Sequence, residues 1–516
     1  MFDLQSSPTR NNHASFDDLP TELLIRVFKY AAEFRYSNST LKDAAKIVLC
    51  LSHVSRQWRA IVFSIPNIWG RLINVVDFSD ELFLHFILQS CYSTVELFVD
   101  GERLSSYATH LKAAQIRLSR ALANLHRTSY LVIRRFPLTV DHFNHLLHSA
   151  PVLDTFSFEG YAPDPVRLPM PLFDNSAPHL RSLCLSSAMI DLERSHYPSI
   201  SELRVCHIRE PFSPSTNTWL VFLSNHTSLT VLKLTYAMSA RLSDSHEWSP
   251  RVELPCLREL TLSDDATPCA HLLAQLVVPI HCRISVVAGI DYPSGFQLLQ
   301  TAVSQVASSR VTKDLQVTLT GTSVSLADVV EEFKSGPSRN SLFFKFQWQT
   351  DFDPFKELTL PYDPFHFLSA TLLANIETLR LGFLPVHGRY PLQHLSLRSR
   401  LHAWLHLLTE VKHLVIDSSS LDTVLDFLGE DDGLGLDEGE EDKARPKLVF
   451  PSLQCLEIAQ TEREEVDWGA VISFAEWRDD IGHGISSIIV PTAGVGQLSW
   501  RDGSVLAELD IEITLS

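Results

Sequence analysis

The chain has 516 residues, 45% of them hydrophobic and 20% charged, with a formal net charge of −18. That composition is globular, and the length exceeds one ordinary core unless units repeat. The acidity argues against binding nucleic acid through phosphate contacts, which need clustered Lys and Arg. No apolar run approaches the roughly 20 residues that span a bilayer, and no signal peptide is read at the start, so no membrane partner is expected.

The eight cysteines are scattered and form no disulfide framework. Reduced thiols point to the cytoplasm and/or nucleus.

Residues 1–15 are polar and are expected to be disordered. A helix opens at Asp18-Leu19-Pro20-Thr21-Glu22, with Thr21 or Asp18 as its cap and Leu23, Leu24, Val27 and Phe28 as its apolar positions. A second helix is predicted over 42–54 and a third over 55–63, containing Trp58 and Ile61. Ile65-Pro66 ends it, and Ile68-Trp69 closes the segment. Fewer than sixty residues have a poor ratio of buried to exposed surface, so this segment must pack on its neighbours or on another protein.

The set Leu19-Pro20, Leu23-Leu24, Val27-Phe28, Val54-Ser55, Trp58-Arg59, Ile65-Pro66 and Trp69 resembles an F-box. It is similar to the variant common in fungal F-box proteins, where LPxELLxxIF precedes VCxxWRxxxxxxPxLW. His53-Val54-Ser55 replaces the usual Val-Cys, and the spacer from Glu33 to Lys42 is somewhat long. The resemblance implies a three-helix domain over 16–73 that binds the SCF adaptor subunit, and through it a cullin. It implies Leu19, Pro20, Leu23, Leu24, Val27, Phe28, Val54, Trp58, Ile65, Pro66 and Trp69 as the contact set. Within it, Leu19, Pro20 and Leu24 read as contacts and Trp58 as an internal anchor.

From residue 74 a loose pattern L-x-x-L-x-L recurs, at Leu153–Phe158, Leu180–Leu185, Ile200–Val205, Leu229–Leu234, Leu257–Leu262, Ile376–Leu381, Val411–Ile416 and Leu453–Ile458. Fainter copies lie at Thr94–Val99, Thr128–Ile133, Ile284–Val287 and Leu315–Leu319. Alternation around the second leucine predicts a strand with one buried face. A proline often leads in, as at Pro151, Pro178, Pro255 and Pro451.

Helices are expected between strands at 81–90, 108–125, 140–149, 219–225, 269–277, 294–307, 327–333 and 401–408. A strand-plus-helix unit cannot bury its own apolar face, so the fold class is α/β. The reading is a short helical F-box followed by a divergent leucine-rich-repeat-like solenoid over 74–516, with a parallel sheet and outer helices. The alternative is an α/β domain with a parallel sheet. The acidic, glycine-bearing run over 429–442 reads as a mobile loop. Residues 466–516 read as a C-terminal cap, with a helix over 470–478 and strands over 485–490 and 505–513.

No nucleophile elbow, phosphate loop or paired metal-binding cysteine motif occurs, so no catalytic residue, metal site or cofactor is expected, and the chain reads as no enzyme. Cys269, His271, His281 and Cys282 do not suit zinc, because adjacent strand residues face opposite ways. His142, His145 and His148 share a helical face, read as an ordinary exposed one.

The implied function is substrate recognition for an SCF-type cullin-RING ubiquitin ligase. An unidentified protein substrate would lie on the outward strand positions, among them Ser182, Arg204, Lys233, Glu259, Arg380, His413 and Glu457. The alternatives are an F-box scaffold outside a ligase and an enzyme in an irregular α/β fold.

Overall fold

The computed structural model describes residues 19–31, 41–104, 108–161, 165–208, 210–239, 251–290, 293–308, 313–320, 323–328, 342–347, 373, 375–384, 395–429, 448–459, 466–491 and 498–515. Residues 1–15 and 430–442, read above as disordered and as a loop, lie outside that set. The chain divides into two compact units, residues 1–200 and 201–516. It is a mixed α/β protein with N-terminal helices and parallel-dominated sheet.

The first unit begins with helices α1 (Thr21–Ala31), α2 (Leu41–Val54), α3 (Arg56–Phe63), α4 (Pro66–Arg71) and α5 (Asp80–Gln89). Strands β1 (Val95–Asp100), β2 (Thr128–Arg134), β3 (Thr155–Glu159) and β4 (Ser182–Ser186) then pair in chain order, all parallel. Helices α6 (Ala108–Leu122) and α7 (Val140–Leu146) connect the first three. Parallel pairing requires such crossovers, since a tight turn cannot return the chain to the same strand end.

The second unit holds strands β5 (Glu202–Cys206), β6 (Val231–Thr235), β7 (Glu259–Asp265) and β8 (Arg283–Gly289). It continues with β9 (Asp314–Thr320), β10 (Ser323–Asp328), β11 (Leu342–Gln347), β12 (Thr378–Leu384), β13 (His413–Asp417), β14 (Cys455–Ala459), β15 (Ser487–Val490) and β16 (Glu512–Leu515). Its helices are α8 (Thr216–Ser224), α9 (Ala266–Gln275), α10 (Pro293–Ser308), α11 (Leu395–Leu405), α12 (Leu421–Gly429), α13 (Trp468–Asp480) and α14 (Trp500–Glu508).

The recurrent motif builds the core directly. In all eight clear copies the three apolar positions are at most 3% exposed. The backbone around them repeats as well. A turn precedes most of these strands: Leu153 N donates to Ala150 O at 3.1 Å, Leu180 N to Ala177 O at 3.1 Å, Leu257 N to Leu254 O at 3.1 Å and Leu453 N to Phe450 O at 3.1 Å. The prolines occupy the second turn position, where their fixed φ is already correct. Pro198 does the same in the Tyr197–Ile200 turn, whose closing bond is 3.2 Å. Two N–H groups entering a strand then share one carbonyl of the preceding unit. Arg258 and Glu259 donate to Thr230 O at 2.8 and 3.1 Å, Lys412 and His413 to Glu377 O at 2.8 and 3.1 Å, and Gln454 and Cys455 to Lys412 O at 2.8 and 2.9 Å.

Two expectations fail. Residues 323–328 are strand β10, not the start of a helix; Leu326 is buried while Ser325 and Ala327 are half-buried, a period of two. β10 pairs antiparallel with both β9 and β11, giving the order β8-β11-β10-β9-β12. Chain order and sheet order therefore part company here. The second failure is at 505–513. Ser499 Oγ accepts from Asp502 N at 3.2 Å and Asp502 Oδ2 from Ser499 N at 3.3 Å, and this reciprocal cap starts α14. Only 512–515 is strand.

Two buried polar groups tie the second unit together. Arg478 on α13, 1% exposed, donates to His483 O at 2.9 Å, Val449 O at 3.2 Å and Phe450 O at 3.1 Å. Burial pulls its pKa down to about 10. Asp264 on β7 accepts from Ala237 N at 2.8 Å and Met238 N at 2.9 Å, and burial pushes its carboxyl up to about 6.

Arg478→Met removes the side-chain donor from His483 O and Val449 O, while Phe450 O keeps Leu453 N, and is expected to lower stability by about 2–4 kcal/mol in urea denaturation. For Asp264 the folded pKa lies above that of an unfolded aspartate, about 3.9. Its contribution is therefore greatest below pH ~4 and falls as pH rises to about 6. Asp264→Asn cannot ionise. The wild-type melting temperature minus that of the variant should fall between pH 4 and 6 and level off above.

Candidate functional site

Two surfaces carry the candidate residues. The first is the helical segment. Leu23 N and Leu24 N donate to Pro20 O at 2.9 and 3.2 Å, which starts α1 directly after the proline. Leu24 and Phe28, four apart, point inward and are fully buried, and the Phe28 ring lies 4.9 Å from the Trp58 ring. Ala44, Ala45 and Val48 of α2 and Ile61 and Val62 of α3 complete this core. Ser55 caps α3 by accepting from Trp58 N at 3.1 Å, and Arg59 Nε donates to Ser52 O at 2.9 Å, fixing the α2–α3 corner.

Trp69 on α4 is fully buried. Its Nε1 donates to Val62 O at 3.2 Å, and its ring stacks on Phe63 at 5.2 Å and meets Phe86 of α5 edge-on at 5.1 Å. Arg71 pairs with Glu96 on β1 at 2.9 Å. This end of the segment is thus anchored to the first strand.

The opposite side of α1 is open. Leu23, Val27 and Tyr30 are 44%, 48% and 73% exposed, and their spacing of four and three places them on one face. Ile47 and Val54 of α2 are likewise exposed. Of the eleven residues assigned to adaptor contact, Leu24, Phe28, Ile65 and Trp69 are corrected: they are core residues, since the helical spacing that makes an apolar stripe also turns half of it inward. Trp58, Leu19 and Pro66 are half-buried, and Pro20, Leu23, Val27 and Val54 exposed. Tyr30, seven residues after Leu23, and Ile47 are also exposed and lie outside the set that the resemblance implies.

The second surface is the outward face of the strands. Ser182, in the first unit, is half-buried. In the second unit Arg204 pairs with Glu202 on its own strand, and Lys233 reaches Glu259 across β6 and β7 at 2.6 Å. His413 Nε2 lies 3.0 Å from Glu457 Oε2. The Arg380 guanidinium influences both Glu457 and Asp417. The strip is of mixed charge as expected, but its charges are largely engaged with each other. Asp417, Cys455 and Ser487 join this group and were not singled out by sequence, because only strand register brings them together.

The histidine patch is also corrected. His142 is buried: its Nδ1 accepts from Thr139 N at 2.8 Å, capping α7, and its Nε2 is 2.8 Å from Gln115 O. His145 Nε2 meets Ser119 Oγ at 3.1 Å. Burial lowers the pKa of both rings. Cys269 and Cys282 are buried, His271 is half-buried and His281 exposed. Among the described residues, no cluster of three or more His, Cys, Asp or Glu side chains is placed to hold a metal ion, and no helix is long and apolar enough to cross a membrane.

Residues 16–74 match the model of the F-box-like family, about a tenth of the chain. Domains of this family generally bind adaptor subunits of ubiquitin ligases, and the chain carries such a domain at its N-terminal end. A search of the curated proteins returns no match for the chain.

The inner and outer faces of α1 separate by stability. Leu24→Ala should cost about 2–4 kcal/mol through its cavity, and Leu23→Ala less than about 0.5 kcal/mol, both read from denaturation midpoints.

Proposed function

We propose that this chain is the substrate-recognition adaptor of an SCF-type cullin-RING ubiquitin ligase, and that it performs no chemistry itself. The observation that carries this reading is the apolar face of Leu23, Val27 and Tyr30, flanked by Ile47 and Val54, on an F-box-like bundle whose core is complete without it. An exposed row of large apolar side chains on one helix suits helix-in-groove recognition by the adaptor subunit. The cullin is then reached through that subunit.

The recurring turn, shared carbonyl and three buried apolar positions support reading residues 74–516 as a divergent leucine-rich-repeat-like array. Its outward strand positions in the second unit, Arg204, Lys233, Glu259, Arg380, His413 and Glu457, then form the substrate face. Because Lys233 pairs with Glu259 and His413 with Glu457, recognition there favours a protein surface that matches an alternating pattern over one of a single sign. The work of the chain is proximity: holding a substrate near the transfer machinery raises its effective concentration. Scattered cysteines and reduced thiols favour the cytoplasm or nucleus.

The test is co-purification of the adaptor subunit and the cullin with wild-type chain and with the double variant Leu23→Asp, Val27→Asp. Both residues are exposed, so melting should be unchanged while recovery of the adaptor falls at least about tenfold. Unchanged recovery would overturn the F-box reading. Adaptor recovered without cullin would make the chain a scaffold outside a ligase. Purification with the proteasome blocked then identifies the substrate.

A further inference from the structure

The parallel register of β13 and β14 sets His413 directly opposite Cys455, and that of β14 and β15 sets Ser487 opposite Cys455 on its other side. Glu457 stands two residues after Cys455 and so shares its face of the sheet. Its Oε2 is 3.0 Å from His413 Nε2, and cross-strand register sets the same His413 beside Cys455 on that face. Thiol, imidazole and carboxylate are therefore gathered on one outward strand face, all half-buried. The adaptor reading places His413 and Glu457 on its substrate face but gives Cys455 no role, and the group stands whether or not that reading holds.

We propose that Cys455 is a site of reversible oxidation by a peroxide, with His413 as the proton donor and Glu457 as the group that keeps His413 charged. The thiolate sulfur attacks one oxygen of the peroxide; an S–O bond forms and the O–O bond breaks. The departing hydroxide takes the proton of the His413 imidazolium and leaves as water. The sulfur is oxidised by two electrons to sulfenic acid, the peroxide is reduced, and a thiol reductant restores the cysteine.

The electrostatics of the group agree with this assignment. Burial pushes the Cys455 thiol up, but hydrogen bonds from His413 and Ser487 outweigh it and the net shift is down. Hydrogen bonds to Cys455 and to Glu457 push His413 up to about 9 against its desolvation, and the bond to His413 holds Glu457 below the usual carboxylate range. The other groups facing this site are Asp417 on β13, raised by burial with partial offset from Arg380, and Arg380 itself on β12. On β15 the facing group is Ser487, which is uncharged, with Glu512 beyond it on β16. A thiolate beside an imidazolium is the environment that makes a cysteine reactive at neutral pH.

The chain supplies its own controls. Cys50, Cys91 and Cys256 are exposed, and Cys269 and Cys282 are buried. The purified full chain is treated with dilute hydrogen peroxide across a pH series. Sulfenic acid is trapped with a dimedone-type probe, and each cysteine is quantified by peptide mass spectrometry. At pH 7, Cys455 should be labelled at least about fivefold faster than Cys50, Cys91 or Cys256, with a rate midpoint below the ordinary thiol value of about 8.5. His413→Gln should remove that advantage and move the midpoint upward, while Cys269 and Cys282 stay unlabelled. Equal rates at Cys455 and the exposed cysteines, or a His413→Gln chain that keeps both the advantage and its protected Cys269 and Cys282, would overturn the proposal. Should the variant expose those buried cysteines, the wild-type profile decides, and a midpoint at or above about 8.5 overturns it.

Discussion

One backbone carbonyl, shared by two N–H groups of the unit that follows it, sets the start of many strands in this protein. Thr230 O, Lys313 O, Glu377 O, Lys412 O and Gln454 O all act this way in the second unit, and Asp154 O does so in the first. The turn before most of the motif strands closes on the residue that begins the motif. Together these bonds fix where a strand starts, and a strand's start fixes which residues face inward, because a slip of one residue would exchange the two faces. The complete burial of the leucine positions follows from this register.

The N-terminal bundle obeys a different constraint. Its helices are too short to stand alone, so they need both a shared core and an anchor. Phe28 and Trp58 supply the first, and Trp69, wedged between Phe63 and Phe86, the second. With those contacts made, α1 has apolar residues left over. Leu23, Val27 and Tyr30 lie on the exposed side of the helix, and this surplus gives the segment an apolar surface.

On the strands the polar side chains mostly satisfy one another. Lys233 with Glu259 and His413 with Glu457 are cross-strand pairs that form because register places opposite charges within reach. The same geometry that neutralises His413 and Glu457 draws in Cys455. A pairing that is ordinary for sheet stability thereby creates an environment with its own reactivity.

The sequence by itself determined the periodicities. Leucines three and two apart marked the strands from Leu153 to Ile458, prolines marked the turns, and Leu-Pro with Trp-Arg marked the helical segment. These features are local and need only the neighbouring few residues to be read. It misjudged Val505 and its neighbours, whose strand-like composition yields to the Ser499–Asp502 cap, and Ala327, which lies in an antiparallel strand that breaks the repeat. What only the tertiary structure decided is which half of each apolar stripe is core and which distant polar residues meet. Leu24 and Leu23 are adjacent and alike in chemistry, yet packing buries one and exposes the other. Cys455 and His413 are 42 residues apart, and parallel register alone makes them neighbours.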